Sequence, residues 1–97
     1  MNNSLRQHAE DYLTMRRSLG FKLTVFEELL FSFIAYMEDQ QATVITTDLA
    51  VAWARITPRS TREARWSRRL SVVRIFARHL QVFDQDTEIP AADIWLS

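Results

Sequence analysis

The stretch Arg62-Glu63-Ala64-Arg65-Trp66-Ser67-Arg68-Arg69-Leu70-Ser71-Val72-Val73-Arg74-Ile75-Phe76-Ala77-Arg78-His79-Leu80 decides the fold of this chain. Trp66, Leu70, Val73, Ala77 and Leu80 recur three and four residues apart, the spacing of one face of an α-helix. The pattern predicts a helix from about Arg62 to Phe83, with Ser60 and Glu63 as a capping box at its start. On a helical wheel with Arg62 at 0°, the apolar stripe centres near about 40°, while Arg69, Arg65 and Arg68 fall at about 340°, 300° and 240°. Val72 and Phe76 occupy about 280° and 320° on the same side. One flank of this helix is therefore arginine in its first half and apolar in its second. The second half is expected to be broadly buried, the first to present arginine to solvent.

Working back toward the N-terminus, three more helices can be read. Leu5 to Leu19 carries Leu5, Ala9, Tyr12, Leu13, Met15 and Leu19 at helical spacing, with Ser4 and Gln7 as a capping box and Gly20 placed for a left-handed C-terminal cap. Val25 to Gln40 carries the stripe Phe26, Leu29, Leu30, Phe33, Ile34 and Met37, opened by Thr24 and Glu27, with Phe31 off the stripe. A short helix from Asp48 to Ile56 places Leu49, Ala52, Trp53 and Ile56 on one face and is closed by Pro58. Thr43 to Thr46 is β-branched but has no partner strand, so it reads as extended loop. Toward the C-terminus, Phe83 to Pro90 reads as an extended exit, and Ala91 to Ser97 as a short acidic helical turn bearing Ile94 and Trp95.

The whole is expected to be one all-α domain. With 97 residues, 47% of them apolar, one Gly and two Pro, the chain holds one modest core and few tight turns, which argues against a sandwich or barrel. It has no cysteine, so disulfides, thiolate catalysis and Cys-ligated zinc are excluded. No apolar run approaches the ~18–20 residues of a membrane span, and the N-terminus lacks a signal-peptide core, so a cytoplasmic protein with no membrane partner is expected.

The net charge of zero conceals a segregation. Residues 1–54 sum to −3 and residues 79–97 to −4, whereas residues 55–78 hold eight arginines against Glu63 alone, a net of +7. A solvated helix normally interleaves Glu with Arg at i,i+4. Arginine without such partners, next to Ser60 and Thr61 at a helix start, suits phosphate. The candidate DNA-binding residues here are Arg59, Ser60, Thr61, Arg62, Arg65, Arg68 and Arg69, with Arg55 just before them. No catalytic constellation, cofactor loop or metal-ligand pattern is present. His8 and His79 read as ordinary boundary residues, and Tyr12, Tyr36, Trp53 and Trp66 as core. A competing reading is a helical protein-interaction bundle that uses Phe31, Trp95 and the acidic tail.

These residues carry a resemblance. Trp66 through Leu80, with its basic start and its Leu-Ser-x-x-Arg-x-Phe-x-x-x-Leu pattern, resembles the last core helix of the N-terminal, core-binding domain of tyrosine recombinases, the phage and transposon integrases. Tyr12-Leu13 through Arg16-Arg17-Ser18-Leu19-Gly20-Phe21 is similar to that family's first helix and turn. Leu30, Phe33 and Tyr36 are similar to the second helix, Ile45-Thr46 and Leu49 to Trp53 to the third, and Thr87-Glu88-Ile89-Pro90 to the departing linker. The resemblance covers about residues 5–90. It implies a SAM-like bundle of four to five helices over residues 1–90, with 91–97 starting a linker toward an absent catalytic domain. It further implies a module that clamps duplex DNA without cleaving it, with the catalytic domain of the same parent protein and further protomers on DNA as partners. The family's catalytic residues belong to that other domain, and neither His8 nor His79 opens a His-x-x-Arg here. The chain is on this reading an excised domain or a truncated reading frame. Its acidic second helix departs from the family, leaving Lys22 and Thr24 as the DNA candidates there.

Overall fold

A computed structural model describes residues 4–20, 24–56 and 63–90, the side chains of 63–67 excepted. Four helices run through them: α1 (Leu5–Ser18), α2 (Thr24–Asp39), α3 (Thr47–Arg55) and α4 (Glu63–Leu80), with no strand among the described residues. The architecture is an all-α bundle. α4 packs against all three other helices, α2 also packs on α1 and on α3, and α1 and α3 do not meet.

Local chemistry explains most of the boundaries. Ser4 caps α1, its Oγ accepting from the Gln7 amide at 3.1 Å, but the box is half-made: the Gln7 side chain reaches forward to Asp11 at 3.0 Å. Gly20 ends α1 at φ +89°, its amide donating to Arg17 O at 2.9 Å, the left-handed close expected of the sole glycine. Thr24 is not a cap, since α2 begins on it. Thr46 caps α3 and donates nothing to a strand: its Oγ1 accepts from the Leu49 amide at 3.2 Å. α4 stops at Leu80 rather than Phe83, because Phe83 and Asp84 amides both turn back onto Leu80 O at 2.8 and 2.9 Å. Ser60 and the turn of 91–97 lie outside the described residues.

The core joins Ala9, Tyr12 and Leu13 of α1, Leu30, Phe33, Ile34 and Met37 of α2, Trp53 of α3 and Leu70, Val73, Phe76 and Leu80 of α4. Val72 and Phe76 are buried, as the broad apolar half of α4 requires. Two expectations are corrected. On α1, Met15 and Leu19 are exposed; Met15 lies about 100° from the buried stripe, and Leu19 is already in the C-cap turn. On α3, Ala52 and Ile56 face solvent while Ala50 and Ala54 are fully buried beside Trp53. The two alanines flank Trp53 and let α3 approach its neighbours closely, so its inner face joins one large side chain to two small ones.

The exit is stitched down. The Glu88 amide donates to Ile45 O at 2.9 Å, and its carboxylate accepts from the Thr47 amide at 2.7 Å, at the first turn of α3. Gln81 Nε2 donates to Thr87 O, and Arg74 Nε to Pro90 O, both at 3.1 Å.

Candidate nucleic-acid interface

Of the nine candidates, Lys22, Arg59, Ser60, Thr61 and Arg62 lie outside the described residues, and Arg65 contributes only its helical backbone. Arg68 is exposed on α4. Arg69, its neighbour, turns inward. Its guanidinium carbon lies 4.0 Å from the centre of the Trp53 ring, and Nη2 donates to Trp53 O at 3.3 Å. That bond fastens the first half of α4 to the last turn of α3, which brings exposed Arg55 and Arg68 to the same end of the bundle. Burial pushes the Arg69 pKa below its ordinary value. Trp53 is itself held by α2: Nε1 donates to Ser32 Oγ at 3.3 Å, and the ring meets Phe33 edge-on at 5.2 Å.

Thr24 is exposed but sits elsewhere. The start of α2 lies with the far end of α4, as Tyr12 shows by touching both Phe26 at 6.0 Å and His79 at 4.8 Å. His79 is ten residues, about 15 Å, along α4 from Arg69. Thr24 and the Arg68 surface are therefore separate places.

The structure also sorts the charges. The acidic α2 is partly neutralised by α1: Arg6 makes a two-pronged pair with Glu38 at 2.8 and 3.0 Å, and Arg17 pairs with Glu27. The hydrogen bond from Arg6 holds the Glu38 carboxyl below its ordinary range. Arg74 is engaged by Pro90 O and Ser71 Oγ. Among the described residues, Arg55, Arg68 and Arg78 of α3 and α4 are thus left without an ion-pair partner, while Arg6 and Arg17 of α1 pair with α2. No cluster of potential metal ligands and no helix fit to cross a membrane occurs among the described residues.

No protein-family model and no solved structure matches the chain. A curated protein named Putative integrase/recombinase y4rB, of Sinorhizobium fredii, is 40% identical to it over 92 residues. The chain is thus similar to a protein named a putative integrase/recombinase. The similarity takes in 95% of this chain but 29% of that relative, so the chain spans less than a third of the relative's length. The 92 matched residues of this 97-residue chain take in all four helices.

Sequence reasoning missed three features. Trp53 was legible as core, but its stacking on Arg69 was not; the available signal was the wheel, which puts Arg69 about 60° from the core centre and Arg68 about 160° away. His8 and His79, unrelated in sequence, meet around Phe83, with ring distances of 5.1 and 5.4 Å. Phe31, the anchor of the protein-interaction reading, is half-buried against the core with Arg6 5.6 Å from its ring centre.

Proposed function

We propose that this chain is the DNA-binding, SAM-like core-binding domain of a site-specific tyrosine recombinase, gripping duplex DNA without cleaving it. Arg55 and Arg68, exposed at the α3–α4 end without an ion pair among the described residues, support this reading most directly, and the similarity to a protein named a putative integrase/recombinase supports it independently. In this reading Arg68 and Arg55, with Arg65 and the Arg59-Ser60-Thr61-Arg62 approach to α4, engage phosphates. Arginine offers a planar fork to phosphate oxygens, and a helix start adds free amides. Such contacts fix position and affinity, while sequence is read at base edges. Strand cleavage and rejoining fall to the catalytic domain of the same parent protein, and further protomers assemble on the DNA. Thr24 and Lys22 form a second, outlying contact.

The test is a duplex-DNA titration at several salt concentrations, comparing the wild type with Arg65→Ala/Arg68→Ala. Each lost phosphate contact should lower the log–log salt slope by about 0.9, so the double variant should be about 1.8 less steep with its helix content intact. Salt-insensitive or absent binding by the wild type overturns the proposal; self-association without DNA binding would favour the protein-interaction bundle instead.

A further inference from the structure

We infer that Arg69 is a positioning residue, which clamps the first half of α4 to the last turn of α3 through Trp53 and thereby sets the attitude of Arg65 and Arg68 toward DNA. The inference rests on the DNA-binding reading above and deepens it. By sequence Arg69 belongs with Arg65 and Arg68; by geometry it does not.

Three observations carry it. First, the guanidinium is committed inward. It lies over the Trp53 ring at 4.0 Å and spends Nη2 on Trp53 O, and its Nε is enclosed without any partner. An arginine whose Nε is enclosed has lost the Nε/Nη edge that a bidentate phosphate contact uses. Second, the group it grips is rigid. Trp53 is 2% exposed and is held on its other side by Ser32 and Phe33 of α2, so the clamp refers α4 to two helices at once. Third, the accepting carbonyl is at a helix end. Trp53 O also receives the Ile56 amide at 3.0 Å in the closing turn of α3, where a positive charge meets the negative end of the helix dipole. The desolvation that lowers the Arg69 pKa is the counterpart of this placement. Exposed Arg68 is the adjacent residue, so any tilt of this part of α4 moves it directly.

Arg69→Lys separates the roles, because lysine keeps the charge and loses the flat stacking face and the fork. The readouts are the DNA salt titration and amide hydrogen exchange of the DNA-free protein. For a clamp, Arg69→Lys and Arg69→Ala should both weaken DNA binding by up to about tenfold, the most that releasing a stacked cation of about 1–2 kcal/mol can transfer to binding. The salt slope of Arg69→Lys should stay at the wild-type value. Exchange should quicken across 63–69 and hold steady across 71–80. The inference is overturned if Arg69→Lys binds like the wild type while Arg69→Ala loses about 0.9 of slope, the signature of a direct phosphate contact. It is equally overturned if exchange over 63–69 is unchanged in both variants. Absence of DNA binding by the wild type overturns the functional reading instead, and exchange in the free protein then still decides for or against the clamp.

Discussion

His79 near the end of α4 meets Tyr12 in the middle of α1 at a tilt, ring centres 4.8 Å apart, and this contact joins α1 to α4. His8 and Phe83 close the same cluster from the side, and Phe76 lies beneath. The charged groups facing His79 are His8, which opposes its protonation, and Asp11, which favours it.

Acid should therefore loosen the bundle. Burial first, and His8 second, lower the His79 pKa below its ordinary 6.5. The folded state binds the proton less readily than the unfolded state. Its stabilising effect is complete above the unfolded value and is lost as pH falls from about 6.5 through the folded value. Urea denaturation at pH 7.5 and 5.5 should show a lower midpoint in acid. His79→Gln should flatten that difference while lowering the midpoint at both values.

α2 closes with an unusual residue in the left-handed position. Gln41 has φ +56°, with its amide donating to Glu38 O at 3.0 Å and the Ala42 amide to Met37 O at 2.9 Å, a complete Schellman motif lacking its customary glycine. Gln41→Gly should stabilise the protein by about 0.5–1 kcal/mol, and Gly20→Ala, at φ +89° with open space around it, should destabilise by a similar amount. Thermal or chemical denaturation measures both; a destabilising Gln41→Gly would show that the Gln41 side chain outweighs the cost of its left-handed φ.

The inner face of α3 can be tested by size. Ala54 is fully buried, so Ala54→Leu should overpack the junction and cost about 1–3 kcal/mol. Ala52→Leu, on the exposed side two residues away, should be within about 0.5 kcal/mol of the wild type. The reverse order would restore the face drawn from the large residues Leu49, Trp53 and Ile56.

Glu88 serves as a second cap on α3. Glu88→Ala removes the acceptor for the Thr47 amide and should cost about 1 kcal/mol, with faster exchange of that amide. Glu88→Gln, which retains an acceptor oxygen, should recover most of the loss.

The helices were legible mainly by periodicity, with end chemistry added for α1 by Ser4 and Gly20. The cap expected at Thr24 falls inside α2, and Thr46, which caps α3, reads in sequence as extended loop. The inner face of α3 was not legible, because hydrophobic patterning weighs bulk, and Ala50 and Ala54 contribute closeness instead. The arginine surface was legible as a charge excess and as an arc of the α4 wheel. Its division was only half-written: the wheel turns Arg69 nearer the core than Arg68, but Trp53, the partner sixteen residues upstream of Arg69, is reached only through tertiary packing. The same holds for His8 with His79 and for Glu88 with Thr47, pairs joined by tertiary packing across helices.

The stitched exit gives the domain a mechanical character. After Leu80 the chain doubles back until Pro90 lies beside Arg74, roughly 9 Å up the helix from its end. Tension applied through Pro90 reaches the Arg74–Pro90 bond first and the two Glu88 bonds to Ile45 and Thr47 next, before it reaches the last turn of α4.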